Sequence, residues 1–357
     1  MTERISRRER ADLTFAALLA PLVALVPQLP AALAGRGGWL APLLALPAAL
    51  GVLWLWRRMG PLADLPAPVR GAYLLWGGFL LTVSAGSFAR RSLAVGLENG
   101  TGPLFLLVML VLVLVLSRGR LAVFARAGKL FFLLLCAALA GTLLLALPDL
   151  RWENLLPVWT AELSGVPAGG LAALSLTVYA VYALCLPIKE GDPIRPGRWA
   201  AVFALAAALL TFTALGAFGP ALIGEMHTPF FFLLKGVGIP GALQRGEAVV
   251  MALWMLSDLV LLALLTRSCA SLWEGLRPRM RGRAALPVAA LAFLAAALLP
   301  NDRVLDLLTQ RTAVAGNLVF GVLLPALAVL AGAIRGGRGR PPISCGPSAE
   351  RGAHLDE

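Results

Sequence analysis

Residues 20–33 read APLVALVPQLPAAL, an apolar run interrupted by Pro21, Pro27 and Pro30. Each proline removes a backbone donor and crowds the preceding turn, so three within ten residues do not fit one unbroken helix. An apolar segment of membrane length with a built-in interruption decides how the rest of the chain is read.

Outward from this stretch the chain stays apolar. Hydrophobic residues make up 59% and charged residues 14% of the sequence, with a mean hydropathy of +0.83. A soluble domain carries roughly 25% charged residues, so one large soluble core is excluded. Apolar runs of membrane-crossing length recur from end to end. The spacing predicts an all-α integral membrane protein with ten transmembrane helices, over 12–33, 38–56, 71–89, 103–117, 130–147, 168–187, 199–219, 248–272, 284–300 and 313–334. Residues 1–11 read as a cytoplasmic N-terminal tail, 12–335 as the transmembrane domain and 336–357 as a disordered, Pro/Gly-rich cytoplasmic tail. The start, MTERISRRER, is not followed by a cleavage-site pattern and is not expected to be a signal peptide.

The net charge of +12 is distributed in a way that argues against nucleic acid. With the N-terminus inside, the outer segments keep only Arg36, Arg90, Arg91, Arg151, Lys235, Arg245, Arg303 and Arg311 of the 31 basic residues. This alternation predicts a multi-pass protein of the cell membrane with both termini cytoplasmic. Arg90 and Arg91 together are its local exception. The cysteines Cys136, Cys185, Cys269 and Cys345 have no metal-ligand spacing and read as small packing residues.

Ten spans divide into five plus five, and an odd number per half makes the second half an inverted copy of the first. In such folds the first helix of each half is unwound near mid-membrane, and the freed groups bind substrate. The expected breaks are in spans one and six. Span six contains GVPAGGLAALSLTVYAVY (165–182), rich in glycine at its start. Candidate ligand contacts are Val23, Ala24 and Pro27 at the first break. Gly165, Gly169, Gly170, Ser175, Thr177 and Tyr179 are the candidates at the second, with Gly86 and Asp258 on neighbouring spans. Asp258 stands in MALWMLSDLVLLALL (251–265), where a buried charge is costly; it is a candidate to bind a cation, carry a proton or receive a substrate amine, or else to hydrogen-bond a neighbouring helix. No histidine cluster, paired carboxylates or phosphate loop is present, so neither an enzyme nor a cofactor or metal site is expected.

Three stretches carry a resemblance. Residues 25–50, LVPQLPAALAGRGGWLAPLLALPAAL, carry Pro27, preceded by Leu25 and Val26, where the pattern has a Leu-x-x-Pro turn, and Gly35, Arg36 and Trp39 as a Gly-Arg-x-x-Trp loop. Residues 147–165, LPDLRWENLLPVWTAELSG, carry Asn154 to Val158 as an Asn-Leu-Leu-Pro-Val loop. Residues 227–254, HTPFFFLLKGVGIPGALQRGEAVVMALW, carry Arg245, Glu247 and Trp254. In order and spacing these resemble the spore germination permease family, the B subunits of nutrient germinant receptors, within the amino acid–polyamine–organocation superfamily. The chain departs from that pattern at PLVAL (21–25), which lacks glycines, and in span six, which lacks a glutamate. The resemblance implies a permease fold that senses a small nutrient, an amino acid above all, in the inner membrane of a spore beside receptor A and C subunits. It also implies an outer lid containing Lys235, Gly236, Pro240, Arg245 and Glu247. An amino acid transporter and a non-binding scaffold subunit are the alternatives on the same fold.

Overall fold

The computed structural model describes residues 3–94, 101–156, 158, 160–189, 196–226, 228–236, 246–299 and 302–336. Among these residues there is no β-strand, only an isolated bridge between Ile5 and Ile188. Seven helical runs are long and apolar enough to cross a membrane: Gln28–Met59, Ala67–Leu93, Leu121–Asp149, Val166–Cys185, Gly197–Phe218, Ala252–Leu276 and Arg303–Ala331. Gly102–Arg118 and Ala285–Ala297 are shorter apolar helices. The chain is an all-α, multi-pass membrane protein.

The layering follows from which helices keep their apolar side chains inside. In Ala252–Leu276, 78% of the most apolar window is buried, against 22% in Leu121–Asp149. The first helix, Arg7–Leu25, is buried almost continuously from Asp12 onward. It packs with the long helix Gly246–Leu276 at the centre, against Ala67–Ala94 and Leu121–Ala146. At the periphery, Leu107, Val111 and Val115 point outward and are more than half exposed. In water such a face would drive aggregation, whereas lipid tails solvate it.

The two expected breaks take a different form from unwound backbone. The first helix stops at Leu25 and a second, Gln28–Ala34, follows at once. Val26 (φ −66°, ψ −41°) and Pro27 (φ −63°, ψ −37°) keep right-handed helical dihedrals. The prolines interrupt hydrogen bonding without extending the chain, because their fixed φ is itself helical. In span six the helix Val166–Thr177 tightens into a 3₁₀ segment, Val178–Cys185. The glycines that suggested unwinding lie at and just inside the start of the regular helix. A Cβ on Gly165 would collide with the Leu33 carbonyl, and one on Gly170 would lie 3.0 Å from the Ala41 carbonyl oxygen. These glycines let two helices approach backbone to backbone.

Two further local features shape the bundle. The last helical run contains π-helical turns at Leu307–Thr312 and Val319–Leu323. Such turns shift the backbone hydrogen-bond register, and side chains serve the carbonyls there. The Trp56 indole donates to the Gly321 carbonyl (2.7 Å) and the Tyr73 hydroxyl to that of Phe320 (2.8 Å). At the N-terminus, residues 3–6 are docked rather than a free tail. Ile5 is buried and exchanges backbone hydrogen bonds with Pro187 and Lys189, while Ser6 and Glu9 form a capping box.

Candidate functional site

Along Ala67–Ala94 the sequence spaces Ser84, Ser87 and Arg91 by three and four residues, which puts them on one helix face. That face meets Asp258, twelve residues into the long helix Gly246–Leu276, or roughly 18 Å along it. The end of the first helix adds Ala24, just before the Val26–Pro27 interruption. The 3₁₀ segment of span six adds Tyr179. Together these six residues line a cavity of about 30 Å³, completed by neighbours that include Thr228 and Thr309. A void of that size holds roughly two water molecules. Both helix irregularities therefore meet at one polar void inside the bundle.

Its electrostatics are dominated by one ion pair. Arg91 Nη2 donates to Asp258 Oδ1 at 2.6 Å, with side-chain exposures of 12% and 4%. Arg90 pairs with Asp306 at 2.6 Å on the more exposed side. The two arginines that broke the charge alternation thus each have an acidic partner on another helix. Removing such charges from water is costly, and their attraction offsets that cost only when geometry and remaining donors are satisfied. Here satisfaction is incomplete. Among the described residues, Arg91 Nε and Ser87 Oγ are buried without a hydrogen-bond partner. The Tyr179 hydroxyl lies against Ser84. The void therefore offers a guanidinium with a spare donor, a carboxylate and free hydroxyl chemistry within one small volume.

Of the residues expected at a ligand site, Ala24, Tyr179 and Asp258 line this void. Val23 is buried in the core, and Gly86 faces Leu299 and Leu305. Pro27 closes the first break without lining the void. Gly165, Gly169 and Gly170 sit at the helix contact described above. Ser175 donates to the Ala172 carbonyl within its own helix, and Thr177 lines a separate, larger cavity. Among the expected lid residues, Lys235 and Gly236 end the helix Pro229–Gly236, and Glu247 lies in the first turn of Gly246–Leu276. Pro240 and Arg245 lie outside the described residues. Arg91, Ser84 and Ser87 were not among the expected contacts, although their three-and-four spacing was visible in the sequence. No group of His, Cys, Asp and Glu with metal-binding geometry occurs among the described residues.

Searches find no family model and no curated protein that matches the chain.

Proposed function

We propose that the protein is the nutrient-sensing, permease-type subunit of a membrane receptor, and that it binds a free amino acid between Arg91 and Asp258. The single observation that carries this reading is a buried pair of opposite charges beside a polar void where two helix breaks meet. A zwitterion offers the complement of that pair. Its carboxylate replaces Asp258 on the Arg91 guanidinium, and its ammonium replaces Arg91 on the Asp258 carboxylate. One internal ion pair becomes two, with Ser84, Ser87 and Tyr179 available to the ligand's remaining groups. At about 30 Å³ the void is too small for an amino acid, so binding requires the bundle to open. That requirement couples occupancy to conformation, because a ligand shifts an equilibrium by its differential affinity for the two states.

The architecture belongs to the same proposal. Seven apolar crossings, two shorter apolar helices and the buried first helix make ten, the number expected for a 5+5 inverted repeat with both termini cytoplasmic. The partners, receptor A and C subunits in a spore inner membrane, rest on the resemblance to spore germination permeases.

The test is equilibrium binding of the common L-amino acids to the purified protein in phosphatidylcholine nanodiscs. One or a few are expected to bind saturably. The matching carboxylate-only and amine-only analogues are expected to bind at least about tenfold more weakly, since each leaves one buried charge without a partner. Accumulation of the ligand inside sealed vesicles would favour the transporter reading. Absence of binding across the panel would overturn both and leave a scaffold.

A further inference from the structure

The larger cavity has a different chemistry. It is a partly open cavity of about 940 Å³ between the first helix, the helix Leu46–Met59, span six and the helix Pro196–Phe218. Its lining includes Arg4, Arg7, Arg10 and Arg57, opposed among the described residues by one acidic residue, Asp64. Among the described residues none of these four guanidinium groups has an ion pair or side-chain hydrogen bond.

Beyond the arginines the walls are apolar. Phe15, Leu18, Trp56, Trp199 and Phe203 form much of the surface. The hydroxyls of Thr14 and Thr177, which also line it, donate back to the Arg10 and Leu174 carbonyls of their own helices. Along these walls no carboxylate among the described residues faces the cavity for an ammonium group; Asp64 stands with the arginines. From Arg57 back to Ala45 is twelve residues, and from Arg7 to Leu18 eleven, so both walls run roughly 16–18 Å at 1.5 Å per residue. That depth is close to one leaflet, half of the ~30 Å hydrocarbon core. The charge alternation of the loops assigns the arginine end to the cytoplasmic side.

We propose that this cavity is a binding site for an anionic phospholipid of the cytoplasmic leaflet. The phosphate lies among Arg4, Arg7, Arg10 and Arg57, and an acyl chain fills the slot between Phe15, Trp56, Trp199 and Phe203. Occupancy braces the first helix against span six, the two elements whose breaks form the polar void.

The experiment is native mass spectrometry of the purified, delipidated protein after incubation with equal amounts of phosphatidylglycerol and phosphatidylcholine. One phosphatidylglycerol is expected to be retained in preference to phosphatidylcholine. The variant Arg7→Gln/Arg57→Gln is expected to lower retention at least about tenfold, as basic groups near a membrane surface each contribute on the order of one kcal/mol. Independently, Ala49→Phe and Ala200→Phe fill the slot while leaving every arginine in place, and each is expected to abolish retention. Inorganic phosphate in excess is expected not to displace the lipid. Equal retention of phosphatidylcholine, retention in both slot-filled variants, displacement by phosphate alone, or a dimer in place of the lipid-bound monomer would each overturn the proposal. A size-exclusion profile identical to wild type qualifies each variant for the comparison.

Discussion

Arg91 and Asp258 are constrained from both sides, since neither charge is tolerable in the bundle without the other. Removing one partner of a buried pair destabilises by about 3–5 kcal/mol, whereas replacing both with apolar residues is often neutral. Asp258→Leu is therefore expected to lower the thermal midpoint in detergent markedly. Arg91→Met/Asp258→Leu is expected to restore stability without restoring amino acid binding. Recovery of both would assign the pair a purely structural role. Asp258 was legible in the sequence because a lone carboxylate in an apolar run is conspicuous. Its partner was not, since Arg91 lies 167 residues away and its pairing is a tertiary fact. The local signals were the failure of Arg90 and Arg91 to fit the charge alternation and the three-and-four spacing of Ser84, Ser87 and Arg91.

At the scale of the element, interruption and packing compete for the same residues. Proline and glycine announced that spans one and six are irregular, yet not how. Pro27 keeps helical dihedrals, and the glycines of span six serve a close helix contact. Gly165→Ala is expected to destabilise by about 1–3 kcal/mol through overpacking against the Leu33 carbonyl, read as a lowered thermal midpoint. The π-helical turns left no recognisable mark in the sequence; at the second, the carbonyls of Phe320 and Gly321 are met by Tyr73 and Trp56 from distant helices. Trp56→Phe and Tyr73→Phe each strand a backbone carbonyl, at a cost of about 1–3 kcal/mol. Hydrogen exchange should rise first around residues 319–323. The N-terminal dock adds a pH dependence. The Arg120 hydrogen bond holds the Glu3 carboxyl below its ordinary range. A lowered carboxylate pKa contributes stability above the unfolded value and loses it as pH falls through the folded one. Protection of residues 3–6 is expected to be present at neutral pH and lost on acidification below the ordinary glutamate range.

For the whole molecule, composition sufficed for class: long apolar runs with charge mostly at their ends leave only a helical bundle in lipid. Among the described residues each expected crossing overlaps helical segments, and seven helical runs are long and apolar enough to cross. The first helix begins at Arg7, ahead of the expected crossing at residue 12, because the Ser6–Glu9 capping box starts it early. The proposed orientation predicts that, in a cysteine-free background, Glu153→Cys reacts with a membrane-impermeant maleimide on intact cells. Arg58→Cys is expected to react only after lysis. Both positions are exposed, so accessibility reports sidedness. What composition did not reveal is that the described residues form a small void around an ion pair and, apart from it, a larger apolar cavity ringed by arginine. The most direct measurement is calorimetric titration of the wild type and of Arg91→Met/Asp258→Leu, in the same nanodiscs, with the amino acid that binds best. Saturable binding to the wild type and none to the equally stable double variant is the predicted result. Undiminished affinity in the double variant would contradict the placement of the nutrient between these two charges.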